Sequence, residues 1–258
     1  MELFDCHAHY NDEKFENDRE EILKKVYESG VTKLVCAGYD KISSKKAVQI
    51  AQKHDFIYAI VGISPNDIPE ENLLSEQLKE VEILAKLPKV VAIGEIGLDY
   101  HWNKENKEKQ KEIFIKQIEL ANKLELPIVI HTREAIFDTL SILKQEIHPM
   151  QKGIFHCCPL NLDLIKEGLK LGFYISFAGP ITFKNSKNAE EAIKAVPLEK
   201  ILIETDSPYL APEPVRGTRN DSSNVIYMAE KIAQVKQMST TEVAKATYEN
   251  AKRIFQIL

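Results

Sequence analysis

The sequence predicts an α/β fold, a (β/α)8 TIM barrel, from two patterns and a length. Eight short apolar runs recur along the chain, amphipathic segments separate them, and 258 residues is what such a barrel needs. The runs are "LFDCH" (3–7), "KLVCAG" (33–38), "YAIVGI" (58–63), "VVAIGEI" (90–96), "PIVIHT" (127–132), "GIFHCC" (153–158), "FYISFAG" (173–179) and "ILIETD" (201–206). They are rich in β-branched and aromatic residues and mostly continuous, as strands covered on both faces should be. An open doubly wound sheet has a similar composition and stands as the alternative on pattern alone.

The intervening segments justify the helices. Asp18 and Glu21 read as an N-cap and a first-turn acid, and Gly30 ends that segment. In 107–124 the stripe Phe114, Ile118, Ala121, Leu124 follows helical spacing, with lysine and glutamate elsewhere. Ser239 and Glu242 form a capping box before the last helix. No linker or low-complexity stretch divides residues 1–258, so one domain is expected. The proline-rich segment 207–223, "SPYLAPEPVRGTRNDSS", is a long loop, and such loops tend to be functional or disordered.

Hydrophobic residues are 44% and charged residues 28%, enough for a full core without disulfide or metal staples. A metal would therefore serve function rather than folding. A net charge of −5 argues against a basic duplex-binding footprint, though not against a phosphate substrate drawn by bound cations and a few arginines. No apolar run reaches membrane length and no signal peptide is visible. Cys6, Cys36, Cys157 and Cys158 lack a disulfide framework, so a reducing cytoplasm is expected. No obligate protein partner is evident.

In a barrel, chemistry sits at the C-terminal ends of the strands. Run one ends in His7 and continues to His9, run four carries Glu95, runs five and six carry His131 and His156, and run eight ends at Asp206. Each residue alone reads as structural. Together on one rim they would be costly to desolvate without compensating divalent ions. Side chains alternate along a strand, which puts Asp5, His7 and His9 on one side and Cys6 on the other. Imidazole and carboxylate donors suit Zn, and carboxylates extend the range to Mg or Mn.

The motifs "FDCHAH", "GEIGLDY" (94–100), "PIVIHTREA" (127–135), "IFHCC" (154–158), "SFAGPITFKN" (176–185) and "ILIETDSPYLAP" (201–212), then "RGTRN", resemble the TatD family of metal-dependent deoxyribonucleases from residue 3 to the closing "NAKRIF" (250–255). The resemblance implies a barrel of the amidohydrolase type with one to three divalent metal ions. It implies His7 and His9 as the first ligand pair and Glu95 as a carboxylate bridging two metals. His131 and His156 would bind the second metal, and Asp206 would be the last ligand, placed to handle a proton of the attacking water. The implied substrate is DNA, from single-stranded or frayed ends. Relatives of this type also suggest a carboxyl ester or amide substrate, such as a D-aminoacyl-tRNA or a lactone.

Two departures bear on substrate. Family members commonly read "GxHPH" after the third strand, whereas this chain has "GISPND" (62–67), with Ser64 and Asn66 in the histidine positions. After "RGTRN" stand Asp221 and Ser222 where "EP" is common. Arg133 and Arg216 are candidates for phosphate contact. Arg219 reads more as a solvated loop residue. Among Tyr100, His101 and Trp102, base stacking or packing under a loop are both open, with Tyr100 the substrate-binding candidate.

Overall fold

The structure, a computed structural model, describes residues 1–102 and 104–257. The eight apolar runs are eight parallel strands: β1 (Leu3–Ala8), β2 (Val31–Ala37), β3 (Ile57–Val61), β4 (Val90–Asp99), β5 (Ile128–Arg133), β6 (Gly153–Phe155), β7 (Tyr174–Phe177) and β8 (Ile201–Ile203). They lie in one sheet in sequence order. Strand β8 returns to β1: Asp206 N donates to His7 O (2.9 Å) and His9 N to Ser207 O (2.6 Å). The barrel therefore closes, and the open-sheet alternative falls. No described helix is long and apolar enough to cross a membrane.

Helices α1 (Arg19–Glu28), α2 (Lys41–Lys53), α3 (Glu71–Ala85), α4 (Lys107–Leu124), α5 (Ile136–Glu146), α6 (Leu162–Lys170) and α7 (Ala189–Ala195) each follow a strand, and α8 (Val225–Lys236) and α9 (Thr240–Phe255) follow β8. The predicted capping box opens α9: Glu242 N donates to Ser239 Oγ and Ser239 N to Glu242 Oε2. Asp18 precedes α1 but makes no side-chain cap. Its carboxylate is taken by Arg219, which grips both oxygens and also donates to Lys14 O.

Burial divides into two layers. Phe4, Cys6, Val35, Ile60, Ala92, Val129, Ile154, Tyr174 and Leu202, with a side chain from every strand, fill the barrel interior, and Ile254, Phe255 and Ile257 at the end of α9 plug it from below. The larger layer lies between strands and helices and holds Leu34, Val61, Phe114, Ile118 and Phe177 among others.

The helix predicted at 107–124 forms over those residues, and its buried face carries two polar side chains besides the apolar stripe. Gln110 accepts from Asp99 N (2.8 Å) and donates to Asp99 O (3.0 Å). Gln117 does the same with Ile63, at 2.8 and 2.9 Å. Each amide completes the hydrogen bonding of buried backbone at or just past a strand end.

Candidate metal centre

The strand-end residues converge on one carboxylate. Glu95 turns Oε2 toward His7 Nε2 (3.4 Å) and His9 Nε2 (3.8 Å). It turns Oε1 toward His131 Nδ1 (3.1 Å) and His156 Nε2 (3.2 Å). Asp206 Oδ1 faces His9 Nε2 at 3.2 Å and His7 Nε2 at 3.7 Å. Three overlapping groups have ligand atoms within 4.8 Å of one another: His7, His9, Glu95; Glu95, His131, His156; and His7, His156, Asp206. The six residues picked from strand ends are thus brought together.

The donor set fits divalent metal. His7 and His9 aim their Nε2 atoms at each other across 3.3 Å, where one proton can serve only one of them. His7 Nδ1 is buried without a hydrogen-bond partner. Burial first, then the charge of His156, pulls the His7 pKa down, so its ring is neutral and keeps a lone pair to give. Burial alone would push Asp206 up, but the hydrogen bond from His9 and the histidine charges outweigh it and hold the carboxyl at about 2. Glu95 balances the same opposing causes and is held well below the ordinary range. Burial would lower the His9, His131 and His156 pKa values, but the carboxylates outweigh it and raise all three, and a divalent cation could replace those protons among the same donor atoms. The chain therefore carries side chains positioned to chelate divalent metal.

Outer carboxylates orient the rings. His131 Nε2 meets Asp99 Oδ2 at 2.9 Å, and His156 Nδ1 meets Glu204 Oε1 at 3.2 Å. Such partners set which ring nitrogen is free to ligate. Glu204 also accepts from Cys157 N (2.6 Å) and Ser176 Oγ (2.5 Å) and is fully buried. His9 Nδ1 lies 3.1 Å from Ala37 O. Asp99 and Glu204 were missed in the sequence although both stand inside quoted motifs, "GLDY" and "IETD". A carboxylate at or just past a strand end was the available signal.

Asp5 does not join the site as strict alternation predicts. The β1–β2 register is irregular between Asp5 and Ala8, and the Asp5 carboxylate goes to the β1–β8 seam instead. There it accepts from Thr205 N (3.0 Å), Thr205 Oγ1 (2.5 Å) and Ser222 Oγ (2.5 Å). Ser222 is thereby structural. So is Asp221, which caps the next turn and pairs with Lys25 at 3.0 Å. The departure after "RGTRN" thus serves barrel closure. Cys6 packs in the interior, clear of the ligand groups.

A cleft of about 640 Å3 opens over the centre, lined by His9, Asp12, Tyr39, Ser64, Asn66, Asp67, Glu95, Trp102, Asp206 and Tyr209. The substituted "GISPND" positions are therefore at the cleft: Ser64 Oγ donates to Asp67 (2.5 Å), and Asn66 Nδ2 to Asp99 Oδ2 (3.2 Å). Tyr100 is not at the cleft. It is buried under the loop, with its hydroxyl donating to Asp138 at 2.7 Å. Its neighbour Trp102 takes the exposed place. Arg133 is exposed on the rim, and exposed Arg216 covers the Phe183 ring at 4.0 Å. Arg219 is held by Asp18, as a structural loop residue.

A family model described as TatD related DNase matches residues 4–256. The chain belongs to the TatD family. This TatD-family chain is 45% identical to an uncharacterized metal-dependent hydrolase, YabD, of Bacillus subtilis (strain 168), over 99% of both chains. It is 36% identical to an uncharacterized metal-dependent hydrolase of Mycoplasma pneumoniae, over 99% of this chain and all of the relative. In fold it is similar to the TatD homolog YJJV of Escherichia coli K12, with a TM-score of 0.91, covering 99% of this chain and 98% of the other at 23% identity. With the centre described above, the protein is a TatD-type metal-dependent hydrolase.

Proposed function

We propose that this chain, acting as one barrel domain over 1–258, is a deoxyribonuclease that hydrolyses phosphodiesters at single-stranded or frayed DNA ends. The observation that carries the reading is Glu95, whose two oxygens face two separate histidine pairs. One carboxylate between two pairs suits a two-metal centre, and two-metal sites serve in-line phosphoryl displacement. The proposed ligands are His7, His9, Glu95, His131, His156 and Asp206. Divalent ions held there would lower the pKa of a water and offset the phosphate's charge.

The chain's own residues do the rest. Asp206, ionised and edged by His9, is placed to take a proton from the attacking water. Asp99 and Glu204 keep His131 and His156 turned toward Glu95. The cleft walls carry Asp12 and Asp67, so a phosphate would depend on the metals and on rim cations such as Arg133. The four cysteines are free, which suits a reducing compartment such as the cytoplasm.

The test is degradation of end-labelled single-stranded DNA with Mg, Mn or Zn, with a chelator control. Metal-dependent shortening from an end is expected, abolished in Asp206→Asn with the fold intact by circular dichroism. The His7→Ala/His9→Ala variant should lose bound metal. Release of aminoacyl esters or lactones with DNA untouched would replace this reading by the carboxyl-ester one.

A further inference from the structure

The turn after β4 leaves one large ring in the open. Trp102 is 68% exposed, unusual for tryptophan, which is highly buried on average. It is also no stray surface residue, because it lines the cleft beside Glu95 and Asp206. The Arg133 guanidinium lies 5.5 Å from its ring centroid, and the His101 ring meets it edge-on at 4.8 Å. His101 is itself held by Glu134, with Nδ1 at 2.6 Å from Oε1. The ring is thus braced by a cation and by an edge contact while most of its surface stays free.

Its placement is tied to the metal centre through one side chain. Asp99 Oδ1 accepts from His101 N (2.9 Å) and Trp102 N (3.0 Å). Asp99 Oδ2 holds His131 Nε2. The Asp99 carboxylate therefore fixes the turn under Trp102 and the ring of a metal-facing histidine together. Tyr39, after β2, and Tyr209, after β8, also line the cleft, and the Tyr209 hydroxyl donates to Asp12 at 2.7 Å. β4 and β8 are four places apart in the ring of eight, so Trp102 and Tyr209 stand on opposite sides of the barrel mouth.

Resting on the deoxyribonuclease reading, we propose that Trp102, braced by Arg133, is the platform on which a nucleobase of single-stranded DNA stacks while the neighbouring phosphate lies at Glu95 and Asp206. Every base has a π face, so such a platform grips without choosing sequence. The cleft favours this grip over a basic groove, since Asp12, Asp67, Glu95 and Asp206 line it. Arg133 suits the brace because a guanidinium stacks on aromatic faces and pairs with phosphate.

The chain has a single tryptophan, so its fluorescence reports this ring alone. The metal-loaded enzyme is titrated with a cleavage-resistant phosphorothioate oligothymidylate carrying a fluorescent label, following anisotropy and tryptophan emission together. Emission is expected to fall along the same curve as binding. An oligonucleotide of equal length with abasic end nucleotides should bind without that quench. Trp102→Ala should raise KM for DNA roughly tenfold, mainly in KM rather than kcat, with Trp102→Phe recovering part of the loss. The Trp102→Ala penalty should shrink on abasic ends. DNA that binds and is cleaved without quenching, and with KM unchanged in Trp102→Ala, overturns the platform alone. Absence of both binding and cleavage overturns the deoxyribonuclease reading, and the platform with it.

Discussion

Replacing Glu204 by alanine should destabilise the barrel and loosen its metal at the same time, and the two effects can be measured apart. The carboxylate is fully buried and receives three hydrogen bonds, from His156 Nδ1, Cys157 N and Ser176 Oγ. Alanine leaves those donors without the acceptor they share. Each unsatisfied buried donor costs about 1–3 kcal/mol. The Ser176 hydroxyl can rotate to another acceptor, so two orphans give a loss of about 2–6 kcal/mol, a large share of typical stability. At a slope of about 3 kcal/mol per M urea, the midpoint falls by about 1–2 M. Urea unfolding in excess chelator reads this term without metal linkage. Metal affinity, measured calorimetrically below the transition, should fall by about 10–100-fold as His156 loses its orienting partner. Glu204→Gln keeps an oxygen for His156 and Cys157 and lets Ser176 reverse its hydroxyl. It should therefore recover most of the stability while keeping part of the affinity loss. An alanine variant that unfolds at the wild-type urea concentration and binds metal as tightly would refute this account of Glu204.

Three further outcomes follow from the fold. Gln117→Leu strips Ile63 N and O of their shared partner and should cost about 1–3 kcal/mol per group by urea unfolding; an unchanged midpoint would show that another group takes over. Gly97→Ala places a Cβ 2.0 Å from His131 O at φ +139°, so Tm and metal content should both drop sharply. Burial pushes the Cys36 thiol up to about 12 and raises Cys6 and Cys158 as well, so these thiols are neutral at pH 8. An aromatic disulfide reagent at that pH should leave all three silent until denaturant unfolds the chain, and rapid labelling of more than the half-buried Cys157 in the native protein would contradict the packing.

The fold was legible because each strand is short, apolar and punctuated, and because hydrophobic periodicity changes between strands and helices. The six residues of the candidate metal centre were legible for a related reason, since barrel topology sends strand ends to one rim. What stayed hidden depends on distances along no single element. Asp5 follows the alternation rule on paper, but a register irregularity delivers it to the β1–β8 seam. Asp18 sits where a cap belongs, yet Arg219, far along the chain, takes its carboxylate. Tyr100 and Trp102 are chemically similar candidates two residues apart, and only the turn built on Asp99 decides which one is buried. Gln110 and Gln117 look like surface residues of a charged helix until their backbone partners are known.

Those two glutamines make α4 a measuring rod. They are seven residues apart, about 10.5 Å along a helix and nearly two full turns. One reads the backbone at Asp99 and the other the backbone at Ile63, so the rod's pitch sets the gap between the loop bearing Ser64 and Asn66 and the turn bearing Trp102. A single inserted residue between them would swing one amide about 100° off its mark. Side chains on these two loops can thus be exchanged, as at Ser64 and Asn66, while the spacing of the loops stays tied to the register of α4.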